Sequence, residues 1–239
     1  MSRYIIIFFF FLIENFCYSQ KQYELGYKEY LYGDLNKALD LFSKSIEDNQ
    51  EVAKSYMMRG VTKAYLNDFY HAIEDLNESH KIDSSDYYLY YSYGKVYVLS
   101  GFYNKGLEYL NRAIFINQND EYVYDYRAIT KIKLDDYEGA IKDENIAITL
   151  NPKIDYFYNA RGFAKAGLKM YKEAIEDYTK ALELIPEDYF MYYYRGLAYK
   201  KLNKKDLACN DFKKSAELGY SLASKELTNF CGLSDIKSE

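Results

Sequence analysis

Between Asp155 and Asp188 the chain reads DYFYNARGFAKAGLKMYKEAIEDYTKALELIPED, and its apolar residues recur with a helical period. In the second part of the stretch, Ala174, Ile175, Tyr178, Ala181, Leu182 and Ile185 fall at i, i+3/i+4 and i+7, the spacing of one buried helical face. The pattern predicts a first helix from about Asp155 to Leu168 and a second from about Tyr171 to Ile185. Pro186 ends the second, because its nitrogen cannot donate and its ring restricts the residue before it. A helix pair of this size cannot bury its apolar faces alone. It needs neighbours, which is why such pairs come in arrays.

The neighbours are in the chain. Stepping by 34 residues in both directions places repeats at 19–52, 53–86, 87–120, 121–154, 155–188 and 189–222, with no insertion or deletion. Three columns fix the register. The eighth place holds Gly26, Gly60, Gly94, Ala128, Gly162 and Gly196; the twentieth holds Ala38, Ala72, Gly106, Ala140, Ala174 and Ala208. The twenty-seventh holds Ser45, Ser79, Ala113, Ala147, Ala181 and Ser215. Gly inside a helix costs about 1 kcal/mol against Ala, so its recurrence implies a steric need at a close helix crossing.

With the aromatic column Tyr56, Tyr90, Tyr124, Tyr158 and Tyr192, and the later column Phe42, Leu76, Leu110, Tyr178 and Phe212, this pattern resembles the tetratricopeptide repeat family. Gln22 and Glu144 depart from it, the latter in a way expected to loosen the fourth repeat, and Pro occurs only as Pro152 and Pro186. The resemblance covers residues 19–222. It implies an all-α fold: a right-handed α-solenoid of six helix-turn-helix repeats. It also implies a binding face. In the proteins this chain resembles, first helices line the concave side, and their second, fifth, ninth and twelfth places face a ligand. Carried over by position, that face holds Tyr88, Tyr122, Tyr156 and Phe190, then Tyr23, Tyr91 and Tyr193, with Asp125 and Asn159 as polar groups. Tyr suits such a surface, offering large contact area with few rotors to freeze. An extended peptide or a partner helix fits a groove of this kind; the other reading is that some of these rings only fill space between repeats. Chaperone-binding members clamp a peptide carboxylate with Lys and Asn, but the corresponding places here are Tyr23 and Tyr27, so that specialisation is not implied.

The two ends differ from the array. Arg3 precedes the apolar run Tyr4–Ile13, about ten residues, which is short of the ~20 that span a bilayer and fits the core of a secretory signal peptide over residues 1–19. Cleavage is expected after Ser19, one residue into the first repeat; a lipid anchor at Cys17 and an uncleaved anchor are the alternatives. The protein is thus expected to be exported, periplasmic or secreted, in a bacterium, with no membrane span once the signal is removed. Residues 221–231 carry Ala223, Leu227 and Phe230 on one face and read as a helix capping the open end of the array; residues 232–239 read as a disordered tail. In an oxidising compartment Cys209 and Cys231 are expected to pair, two buried free thiols being the alternative. Gly33-Asp34, Asn67-Asp68 and Asp135-Asp136, with Gly101, read as turns that start second helices. No linker composition divides the repeats, so a single elongated domain is expected.

Charge and composition narrow function by exclusion. The net charge of −5 lacks the basic footprint of a nucleic-acid binder. Tyr makes up 31 of 239 residues and Trp is absent, so Tyr positions carry more information than their number. The seventh place is Arg59, Arg127, Arg161 and Arg195, and the same four repeats have Asp75, Asp143, Asp177 and Asp211 at the twenty-third. The other two repeats replace both members together, with Leu25 and Leu41, and with Tyr93 and Tyr109. This joint exchange predicts a structural ion pair in each of the four repeats. For catalysis, His71 with Glu74, Asp75 and Glu78 on one helix is the best metal candidate, but no second helix completes a site and the run reads as a solvated face. No phosphate-binding Gly loop, nucleophile elbow or zinc-type Cys cluster is present. Lys200, Lys201, Lys204 and Lys205 read as a solvated basic cluster. The expectation is a non-catalytic scaffold, without cofactor or metal, that binds a protein or peptide; the alternatives are an end-to-end spacer and, remotely, a metal enzyme at His71.

Overall fold

The computed structural model describes residues 22–49 and 51–232; the expected signal segment 1–19 lies outside them, as does the tail beyond Gly232. Helical residues 22–32 form α1. There follow α2 (Leu35–Glu47), α3 (Val52–Tyr65), α4 (Phe69–Ile82), α5 (Tyr87–Leu99), α6 (Tyr103–Ile116), α7 (Glu121–Lys133), α8 (Tyr137–Leu150), α9 (Asp155–Gly167), α10 (Tyr171–Leu184), α11 (Tyr189–Lys201), α12 (Lys205–Glu217) and α13 (Ser221–Glu226). A wider π-type turn, Leu227–Cys231, ends the described chain. Among the described residues there is no strand, and no helix is long and apolar enough to cross a membrane.

The helix boundaries follow from local chemistry. Gly33, Asn67 and Asp135 adopt left-handed backbone (φ 88°, 65° and 59°), reversing the chain after a first helix. The next residue then caps the second helix: Asp34, Asp68 and Asp136 accept from the amides of Lys37, His71 and Gly139. Lys169 and Asn203 make the same left-handed turn without a capping carboxylate after them, since Met170 and Lys204 follow. Three first helices are capped in turn by Asp86, Asp120 and Asp188, which accept from Tyr88, Tyr122 and Phe190 amides.

The small-residue columns sit where helices of one pair cross. A Cβ built on Gly60 would lie 2.8 Å from the Ala72 carbonyl oxygen; on Gly94, 2.7 Å from Leu110 Cγ; on Gly162 and Gly196, 2.9 and 2.8 Å from the rings of Tyr178 and Phe212. At Gly94, Gly162 and Gly196 the residue sixteen places later makes this contact; at Gly60 the backbone twelve places later is closer, with Leu76 beside it. In the fourth repeat the same partners are Ala128 and Glu144. Both are fully buried, so Glu144 does not leave that helix pair open.

The repeats gather into two compact bodies, one running to Gln118 and the other from Asn119, where a single domain was expected. The division falls in the polar turn 117–120, whose composition does not set it apart from the other turns between repeats. In the first body Met57, Ala72, Leu76, Leu89, Tyr93 and Val96 form the core; in the second, Tyr158, Ala174, Tyr178, Ala181, Leu182 and Met191 do.

The end of the second body is closed by α13 and the π-type turn. Ala223 and Leu227 pack on Ala208 and Phe212, and Phe230 meets the Phe212 ring edge-on at 6.4 Å. The expected single helix over 221–231 is therefore α-helical only to Glu226. The wider turn ends at Gly232 in left-handed geometry (φ 73°) and carries Cys231 to Cys209 of α12, with which it forms a disulfide (Cα–Cα 5.8 Å). Two of the clustered lysines join the closure: Lys200 pairs with Glu226 at 2.6 Å, and Lys200 and Lys205 lie over the Phe230 ring at 4.7 and 5.8 Å.

Candidate protein-interaction surface

Four bidentate ion pairs hold first helix to second helix. Arg59 donates from Nε and Nη2 to Asp75 at 2.9 and 2.7 Å. Arg127 does the same to Asp143 (2.9 and 2.6 Å), Arg161 to Asp177 (3.0 and 2.6 Å), and Arg195 to Asp211 (2.9 and 2.8 Å). The Arg–carboxylate fork is planar on both sides, which is why two parallel bonds form. Each guanidinium also lies over the ring three residues earlier, at 5.1–5.6 Å: Tyr56, Tyr124, Tyr158 and Tyr192.

Two features of this ladder lay outside the sequence reading. A lysine one turn after the arginine completes three pairs: Lys63, Lys131 and Lys165 reach Asp75, Asp143 and Asp177 at 2.7–2.8 Å. The signal was present as a third column, Arg-x-x-x-Lys. In the sixth repeat that place is Tyr199, and burial pushes the Asp211 carboxyl up even though Arg195 holds it down. The second feature is a reach backward. Arg59, Arg161 and Arg195 donate from Nη1 to Ser43, Asn145 and Thr179, all one repeat earlier.

The third repeat shows what replaces the ladder. Tyr93, Tyr97 and Tyr109 stand in the places of Arg, Lys and Asp and stack: Tyr109 lies 4.7 Å from Tyr93 and 5.3 Å from Tyr97, with planes within 16°. The Tyr93 hydroxyl donates to Asn77 at 2.7 Å, the same backward reach made without charge. Asn77 is thereby engaged, and Ser79 is buried.

The nine expected surface residues divide by exposure. In the first body Tyr91 is buried at 7%. Its ring meets Tyr88 at 5.3 Å, and Lys95 Nζ lies 5.4 Å from it. Tyr88 and Tyr23 are half-buried and pack on the core of Ala38, Phe42 and Met58; burial pushes the Tyr23 hydroxyl up to about 12. Tyr91 thus presents little free surface, and Tyr23 and Tyr88 are only partly exposed. In the second body Tyr122, Tyr156 and Phe190, the second places of α7, α9 and α11, keep 42%, 38% and 39% of their surface exposed. Tyr122 and Tyr156 are 6.5 Å apart, and each ring also meets Phe157 edge-on. Phe190 packs with Tyr220 at 5.1 Å, and Tyr193 meets the same ring at 5.0 Å. Tyr220 was missed in the sequence because it lies just before α13, outside any first helix.

Asp125 and Asn159 hold successive fifth places on α7 and α9. Asp125 is 6% exposed, and neither Asp125 Oδ1 nor Asn159 Oδ1 has a hydrogen-bond partner. Asp125 therefore lies beneath the ring row and not on it. Its carboxyl is pushed up by burial, and the neighbouring Glu144 is pushed up by burial and by Asp125. His71 is exposed and pairs with its own helix cap, Asp68, at 2.8 Å. Among the described residues no group of three or more His, Cys, Asp or Glu is placed to hold a metal.

This arrangement defines an all-α protein built of repeated antiparallel helix pairs, with aromatic rings displayed from first helices. Residues 155–188 and 191–218 each match the tetratricopeptide repeat family. The chain thus carries tetratricopeptide repeats at these two places. No curated protein matches it in sequence. Among solved structures it is similar to MamA (26% identity, TM-score 0.62, covering 66% of this chain and 93% of that one). It is also similar to the APC/C hetero-tetramer Cut9-Hcn1 (19%, TM-score 0.78, 88% of this chain and 42% of that one). A third is YrrB, described as a TPR protein with an unusual peptide-binding site (21%, TM-score 0.63, 78% of this chain and 97% of that one).

Proposed function

We propose that this protein is an exported, non-catalytic scaffold that binds a protein or peptide partner through the ring row of its second body. The observation that carries the reading is the exposure of Tyr122, Tyr156 and Phe190. Three large rings each leave about two-fifths of their surface to water at the same place of successive first helices, while the fourth second-place ring, Tyr88, packs into the core. Such rings supply contact area at low entropic cost, and the Tyr hydroxyls orient a partner's backbone. Export rests on the apolar run Tyr4–Ile13. That YrrB is described as having a peptide-binding site agrees with a role in binding.

Crosslinked co-purification of the exported protein from its own cells tests this, run beside a Tyr122/Tyr156/Phe190→Ala variant of unchanged circular dichroism. The expected result is a partner held by wild type and lost by the variant. The same partner held by both would overturn the ring row as the site. Self-crosslinks alone would favour the end-to-end spacer.

A further inference from the structure

In the fourth repeat a carboxylate replaces the apolar or aromatic residue that every other repeat packs against its first-helix small residue. Phe42, Leu76, Leu110, Tyr178 and Phe212 fill that column elsewhere, all within 1% of full burial, and Glu144 is as deeply buried as they are. Asp125, on the helix paired with it, is buried as well, and the two carboxyl groups act on each other. As two carboxylates, neither can donate to the other, and Asp125 Oδ1 and both Glu144 oxygens then have no partner. A proton on one of them supplies the missing donor.

Among the described residues, the cations beside the pair are engaged by other carboxylates. On α7, Arg127 and Lys131 are committed to Asp143. On α9, Arg161 is committed to Asp177 and Asn145, and its charge only partly offsets the burial that pushes Glu144 up. Within α8 itself, Asp143 adds negative charge beside Glu144. Tyr156 on α9, which interacts with Asp125, brings no positive charge. Two ionised carboxylates in contact and out of water are not a sustainable state.

We propose that Asp125 and Glu144 form one proton-binding site, holding a proton between them at neutral pH and making the packing of α7, α8 and α9 weaken as pH rises. The sign follows from linkage. Both groups bind protons more tightly folded than unfolded, so their contribution is fully present below the ordinary carboxylate range. It is lost progressively as pH climbs towards the raised values of the folded state. Each such carboxyl lowers the folding constant by up to about tenfold per pH unit across that window.

The test is urea unfolding of the oxidised full chain between about pH 5 and about pH 8, the window in which linkage predicts the change. Wild type is compared with Glu144→Leu, the residue of the second and third repeats. The expected result is that Glu144→Leu gains on wild type by at least about tenfold in folding constant across that range. Parallel profiles would overturn the site. Asp125→Asn gives the same comparison with an amide that can donate, should the leucine variant fail to fold. Infrared spectroscopy of wild type at neutral pH needs no folded variant: a carbonyl band from a protonated carboxyl group is expected, and its absence would equally overturn the proposal.

Discussion

At the scale of the residue, the ion pairs and the glycines carry the sharpest expectations. Asp177 is almost fully buried while Arg161 is only partly exposed, so removing one member strands a charge that water cannot reach well. Asp177→Ala is expected to cost about 3–5 kcal/mol. The double variant with Arg161→Ala should recover part of that, and a double-mutant cycle by urea unfolding measures the coupling. Gly60→Ala is a converse case. Helix propensity favours Ala by about 1 kcal/mol, yet its Cβ would press on a backbone oxygen at 2.8 Å. The crossing should open, and thermal unfolding should show a net loss of about 1–3 kcal/mol. The Arg–Asp contact was legible because two columns change together, so that each chemistry implies the other. Its lysine was legible only as an unexplained third column. The burial of Tyr91 was not legible at all: a position on a helix says which face a ring leaves from, and not that Tyr88 and Lys95 close over it.

At the scale of the element, the helix pairs could be read almost to the residue, because caps and breakers are local. The left-handed residue and the capping Asp that follows depend on the chain within three residues of the turn. The closing segment behaves otherwise. Its apolar spacing is satisfied equally by a straight helix and by the observed α13 with its π-type turn, and only the partner at Cys209 distinguishes them. That bond closes a loop with a sequence separation of 22, for which chain entropy gives about 3 kcal/mol. Cys231→Ala, or reduction of wild type, is therefore expected to lower the thermal midpoint of the second body, read by differential scanning calorimetry with and without reductant. Loss of the Phe230 contacts with Lys200 and Lys205 should accompany it.

At the scale of the molecule, the repeat frame was the most legible feature, since a small-residue requirement that returns every 34 residues has few explanations other than stacked helix pairs. The division after Gln118 was not, because the turn there carries no composition of its own. The candidate surface was half legible. Family-like positions gave the column, but exposure separates Tyr122, Tyr156 and Phe190 from Tyr23, Tyr88 and Tyr91. Exposure depends on what the neighbouring repeats place on top.

The ladder has one more consequence, for how such a chain lengthens. Each carboxylate of the ladder and the arginine that pairs with it lie inside the same 34-residue frame, at its twenty-third and seventh places. What passes between frames is an uncharged acceptor, as with Ser43, Asn145 and Thr179. Duplicating or deleting one frame therefore carries both charges together and leaves behind at most an unmet neutral hydroxyl or amide. Unequal recombination within the gene can add or drop whole repeats without creating an orphaned ion in the interior, so the array is free to vary in length between descendants while its individual repeats stay intact.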